Sequence, residues 1–182
     1  PAGRVWRLTL AEPMKIPAEP TFTVAIDTRE QHPWTFAHFP TEAATLQVGD
    51  YSVVGLEACI AVERKSLADF VSCCGNERDR FERELRAMRG WLHRCVIVEA
   101  DWSDLERGGW RSKVKPASVV ASVLGWQRDG IPFILAGNRE RAADLAERFL
   151  YLSARQQWRT ARAILVAAKE GQKQVNGAAC KQ

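Results

Sequence analysis

Hydrophobic and polar positions change period several times along the chain, and each change marks an element. Residues 23–27 (TVAID) form a short apolar run that ends in a carboxylate. Residues 46–54 (LQVGDYSVV) and 59–65 (CIAVERK) read as two strands joined by a turn at Gly55, and residues 95–99 and 131–135 as two more. Helical spacing alternates with them. Ser66 and Asp69 predict a cap for a short helix directly after Lys65. Phe81, Leu85, Met88 and Leu92 recur at i, i+4, i+7 and i+11, which predicts a helix over residues 76–90 with Asn76 as its cap. Pro116 stands in the first turn of a helix over 116–128. Asn138 caps a long helix through Ala142, Leu145, Phe149 and Leu152 that stays helix-prone to about Lys169. Residues 32–40 are a loop punctuated by Pro33 and Pro40, with Trp34, Phe36 and Phe39 as its anchors. The expected class is α/β, a central mixed β-sheet flanked by helices. Its divisions are an arm over residues 1–21, which holds four prolines, one folded domain over 22–157, and a basic C-terminal helix and tail over 158–182.

Composition narrows the function classes. A chain of 182 residues with 46% hydrophobic and 26% charged residues is neither disordered nor fibrous. It has no apolar run long enough to cross a bilayer and none that reads as a signal peptide, so a cytoplasmic protein is expected, nucleoid-associated if it is bacterial or from a phage, without membrane partners. The five cysteines are odd in number and hold no C-x-x-C, and the three histidines hold no H-x-x-x-H. Reduced, packed thiols are expected, and any catalytic metal is then held mainly by oxygen.

Residues 49–65 carry the candidate chemistry. Alternation along a strand sends Glu63 and Lys65 to one face and Arg64 to the other. If the two strands pair as a hairpin, Asp50 approaches Glu63, and Asp27 at the end of the preceding strand joins the cluster. Clustered carboxylates repel unless a cation sits among them. A hard divalent cation such as Mg²⁺ or Mn²⁺ takes such oxygens, activates water and stabilises charge on a scissile phosphate. A lysine two residues from a ligand is placed to hold the attacking water.

GDY at 49–51, ERK at 63–65 followed by SLADFV, IDTRE at 26–30, and Arg80-Phe81 with Glu84-Leu85 together resemble the nuclease domain of the XPF/Hef family of structure-specific endonucleases, within the PD-(D/E)xK, restriction-endonuclease-like superfamily. The resemblance covers roughly residues 22–155. It implies a stand-alone restriction-endonuclease-like core and a metal-dependent endonuclease acting on branched, flapped or forked DNA as a homodimer. Asp50 and Glu63 would bind metal, helped by the Arg64 carbonyl and supported by Asp27. Lys65 would act on the water and the transition state. Arg29, Glu30 and Arg64 would position phosphate or order the site. The tandem helix-hairpin-helix module that follows the nuclease in many members is not expected, because Gly171 and Gly177 make no hairpin pair. Two other readings stand beside this one: a less selective nuclease, resolvase or nickase of a phage or mobile element, and a silent DNA-binding scaffold subunit. A silent subunit is expected to have lost the acidic residues and lysine that this chain keeps.

Further DNA contacts are expected from Arg80 or Arg83 on the 76–90 helix and from the loop over 108–113, which holds Trp110 and Lys113, with Trp102 nearby. Most other charges of that helix pair along its solvated face. The formal net charge of +4 is unevenly spread. Residues 148–182 hold seven basic residues against Glu170, so 7 − 1 gives +6, and residues 1–147 carry −2. The excess basicity lies in the C-terminal segment, where it offers a non-specific phosphate grip.

Overall fold

The computed structural model describes residues 21–179, with side chains to 171. The expected N-terminal arm lies outside these residues, apart from its last position. The strands are β1 (Val24–Asp27), β2 (Thr41–Ala44), β3 (Tyr51–Val53), β4 (Ile60–Lys65), β5 (His93–Val98) and β6 (Phe133–Leu135). They form one mixed sheet in the order β2-β1-β3-β4-β5-β6. β3 is antiparallel to both β1 and β4, and the outer pairs are parallel.

Helices cover both faces. α1 (Leu67–Cys73), α2 (Arg78–Met88), α3 (Trp102–Arg107) and α4 (Pro116–Arg128) belong to one side, where Phe70, Phe81, Leu85, Leu105, Val123 and Trp126 build a core against β4 and β5. On the other side α5 (Arg139–Ala179) packs over Tyr51, Val62 and Ile97. Its buried stripe is Ala142, Ala146, Leu150 and Ala154, in which three alanines let the helix lie close to the sheet. The predicted stripe was out of phase at its end, since Leu152 is 60% exposed. α5 also continues past Lys169 to Ala179.

Local chemistry explains most boundaries. Ser66 caps α1 by accepting from the Asp69 amide at 3.2 Å, and Asn138 accepts from the Arg141 amide at 2.8 Å. Asn76 does not cap α2; Glu77 occupies that position without a side-chain bond. The strand expected over 46–54 shrinks to β3. Gly49 turns the chain at a positive φ of 78°, and the Leu46 amide leaves the ladder to donate to Asp27. β2 escaped prediction because it is an exposed edge strand without alternation. The six-residue α3, opened by a capping box between Asp101 and Asp104, is too short for a periodic signal.

Candidate active site

Register gathers the site. Tyr51 pairs with Val62, which sets Asp50 opposite Glu63, and Ile26 pairs with Tyr51, which sets Asp27 opposite Asp50. Three carboxylates thus meet at one end of three neighbouring strands, and alternation puts them with Lys65 on the face covered by α1 and α2. The turn before β3 makes this possible. A Cβ on Gly49 would stand 2.9 Å from the Val62 carbonyl oxygen, so only glycine lets the two strands close here. The Asp50 amide then donates to that carbonyl at 2.8 Å, and the Arg64 amide donates to Asp50 Oδ2 at 2.7 Å. Asp27, Arg29, Asp50, Glu63, Lys65, Arg80, Arg83 and Glu84 line a cleft of about 440 Å³ roofed by α2.

The carboxylates are not equivalent. Burial first, and the neighbouring Glu63 charge second, push Asp50 up to about 7. Burial also drives Glu63 upward, against the attraction of Lys65, which donates to its Oε1. Burial works against the Lys65 charge, but Glu63 and Asp50 outweigh it and hold the ammonium above its ordinary value. Lys65 thus stands as a cation beside the two carboxylates in the metal-free chain. Asp27 goes the other way: burial would raise it, but the Arg29 side chain and the Arg29 and Leu46 amides keep it below its ordinary value.

Both oxygens of Asp27, the expected third metal ligand, are held by its neighbours in this structure. Its Oδ1 accepts from the Arg29 amide at 2.8 Å and from Nε at 2.7 Å, and its Oδ2 from Nη2 at 3.0 Å and the Leu46 amide at 2.8 Å. Among the described residues, no group of three or more His, Cys, Asp or Glu side chains is gathered to hold a metal. Arg29 remains exposed at the cleft wall, though most of its donors go to Asp27 and the Leu46 carbonyl. Glu30 turns inward and accepts from Arg64 Nη1 at 3.2 Å, a contact that orders the site. Arg64 does the same from the α5 face, its side chain only 12% exposed. Arg80 spans Glu77 and Glu84 at the cleft mouth, with Arg83 beside it. Lys113 is exposed but does not line the cleft, and Trp110 donates its Nε1 to the Val114 carbonyl at 2.7 Å, which fixes it within its own loop. Burial pushes the Cys73 thiol up to about 12 and the Cys74 thiol to about 11, as inert packed thiols require.

Glu99 is the partner the sequence reading missed. It accepts from Arg64, Trp34 and Arg139. The signal was present, since CVIVE ends a buried strand in a carboxylate just as TVAID and CIAVE do. Arg139, at the first position of α5, carried no such signal.

Two facing carboxylates and a lysine at the ends of central strands, in a mixed sheet with helices on both faces, define a restriction-endonuclease-like core. The chain belongs to the ERCC4 domain family, which it matches over residues 26–149. Its fold is that of an XPF-like nuclease domain. Among solved structures it is similar to XPF from Aeropyrum pernix, with a TM-score of 0.59 and 23% identity over 73% of this chain and 62% of that one. It is also similar to XPF from Aeropyrum pernix in complex with DNA, with a TM-score of 0.57 and 21% identity over 73% of this chain and 65% of that one. The chain thus spans less than two thirds of the length of these structures. No curated protein matches it.

Proposed function

We propose that the chain is a divalent-metal-dependent DNA endonuclease whose site is built from Asp50, Glu63 and Lys65. The observation that carries this reading is the pair of Asp50 and Glu63, facing each other in a buried cleft with both carboxyls driven toward protonation. Such a pair is short of positive charge even with Lys65 present. The donor set fits Mg²⁺ or Mn²⁺, which commonly takes one or two carboxylates and completes its shell with water and substrate phosphate. Asp50 and Glu63 would hold it, with the Arg64 carbonyl beside them. When bound, such a cation polarises a phosphate and lowers the pKa of a water.

The remaining chemistry belongs to the chain. Lys65, buried and protonated, donates to charge that builds on the attacked phosphate in the transition state. Arg80 and Arg83 on α2 and Arg29 on the opposite wall bracket the cleft with cations that suit a phosphodiester backbone. Asp27 keeps Arg29 and the 44–49 segment in place. The family resemblance adds a branched, flapped or forked substrate and a homodimer to the proposal, and the similar structure in complex with DNA supports DNA as the partner.

The test is cleavage of end-labelled forked and linear duplexes in Mg²⁺ or Mn²⁺. Cutting is expected at the fork and is stopped by EDTA. Asp50→Asn and Lys65→Ala should each lower the rate by at least about 10²-fold while the DNA dissociation constant stays unchanged. Cleavage that persists in both variants overturns the site assignment. Equal cutting of linear and forked DNA selects the less selective nuclease instead.

A further inference from the structure

Glu99 follows β5 directly and lies on the reverse side of the sheet from the cleft, where nothing in the proposed chemistry uses it. Its carboxylate is nevertheless the most heavily used acceptor on that side. Oε1 accepts from Arg64 Nε at 2.8 Å, from Trp34 Nε1 at 2.8 Å and from Arg139 Nη1 at 3.4 Å, while Oε2 accepts from Arg64 Nη2 at 3.3 Å. The two side chains are nearly buried, Glu99 being 11% exposed and Arg64 12%. Trp34 lies against the Arg64 guanidinium, 5.8 Å from ring centroid to Cζ. The grip is doubled through the main chain, because the Glu99 amide donates to the Lys65 carbonyl at 2.9 Å.

Arg64 stands between the two catalytic residues of β4, and its own amide holds Asp50 Oδ2. A side chain locked on one face of a strand fixes the peptide that carries it. We infer that Glu99 is a positioning residue for the Asp50–Glu63 site, acting through Arg64: by gripping the guanidinium from behind, it sets the Arg64 peptide whose N–H aims the Asp50 carboxylate into the cleft. Groups bonded directly to a ligand typically govern metal affinity and rate by about 10–100-fold, and Glu99, one contact further back through Arg64, belongs at the low end of that range. The same carboxylate joins the first residue of α5 to the site, since Arg139 also donates Nη2 to the His32 and Pro33 carbonyls at 2.7 and 2.8 Å.

The consequence for catalysis rests on the metal-nuclease reading; the positioning itself does not. The test compares wild type with Glu99→Gln, which keeps the shape and removes the charge, and with Glu99→Asp, which keeps the charge and shortens the reach. Mn²⁺ affinity is read by calorimetry, single-turnover cleavage at saturating DNA, and exchange of individual amides by NMR. Glu99→Gln should weaken Mn²⁺ binding and slow cleavage by about tenfold or more, with DNA affinity within about twofold of wild type. Its Arg64 amide should exchange about tenfold faster, and the amides of Val96 and Ile97 in β5 less so. Glu99→Asp should recover part of each loss. A merely structural role predicts uniform acceleration of all core amides with unchanged Mn²⁺ affinity, and that result overturns the inference. Should Glu99→Gln not fold, Glu99→Asp is held to the same criterion, with a loss of about threefold expected. Should wild type bind no Mn²⁺, the nuclease reading falls, and the Arg64 amide alone decides the role of Glu99.

Discussion

Asp50 holds its proton more tightly in the folded chain than it would in the unfolded one, and that difference is measurable without any substrate. Its carboxyl rises from 3.8 to about 7, chiefly through burial and then through Glu63. A group raised on folding stabilises the native state below its unfolded pKa and loses that contribution as pH climbs through the folded value. The metal-free protein should therefore lose stability between about pH 4 and pH 7 relative to Asp50→Asn, which has no such proton to lose. The full difference is on the order of 4 kcal/mol, because each tenfold change in proton affinity is worth about 1.4 kcal/mol. Urea unfolding of both proteins in EDTA at pH 5 and pH 8 reads the larger part of it, about 3 kcal/mol, and parallel pH profiles would defeat the account. The sequence showed which residues to watch but not how they divide the work. Strand alternation was enough to place Glu63 and Lys65 together and Arg64 behind them. Asp27 looked like a third ligand because it ends a strand beside the others. Nothing in the spacing showed that Arg29, two residues on, would donate to both of its oxygens.

The turn at Gly49 does for the elements what register does for the residues. Gly49 combines a positive φ of 78° with backbone contact at 2.9 Å, whereas Gly55 has a positive φ of 81° and open space around it. Gly49→Ala should accordingly combine left-handed strain, about 1–3 kcal/mol, with a steric push of β3 away from β4. Gly55→Ala should show the strain alone. For a domain of this size the Gly49 substitution should lower the melting temperature by roughly 5–10 °C, and clearly more than Gly55→Ala. It should also slow cleavage, since Asp50 is the next residue. Equal losses at the two positions would show that the close approach contributes nothing. Elements with a strong period were legible beforehand: α4 begins at Pro116 and ends at Arg128, as its spacing predicts. The elements missed were those without a period, β2 as an exposed edge and α3 as a single capped turn and a half. Alanines misled in the opposite way. Their weak hydrophobic signal hid the stripe at 142, 146 and 154 on which α5 lies against the sheet, while the larger Leu152 marked the wrong face.

At the scale of the whole molecule, charge and architecture separate. α5 packs against the sheet as far as Ala154, and beyond Trp158 its described positions are mostly exposed, so a single helix is both a wall of the core and an arm leaving it. At about 1.5 Å per residue, its 41 residues reach roughly 60 Å. Cutting after Gln157 removes Arg159, Arg162, Lys169, Lys173 and Lys181 with Glu170, a net loss of 5 − 1 = 4 positive charges, which is the entire +4 of the chain. The remaining 157 residues would be neutral, with 21 basic and 21 acidic side chains. A DNA-gripping role for this arm then makes a quantitative demand, because each phosphate contact adds about 0.9 to the slope of log affinity against log salt for duplex DNA. Truncation should weaken binding to a forked duplex at low salt and reduce that slope by about 2–4. Mn²⁺ affinity should not change, because the stripe from Ala142 to Ala154 and the bond from Arg139 to Glu99 both survive the cut. An unchanged slope would move the DNA grip onto Arg29, Arg80 and Arg83 at the cleft. A changed Mn²⁺ affinity would show instead that the arm stabilises the site it leaves.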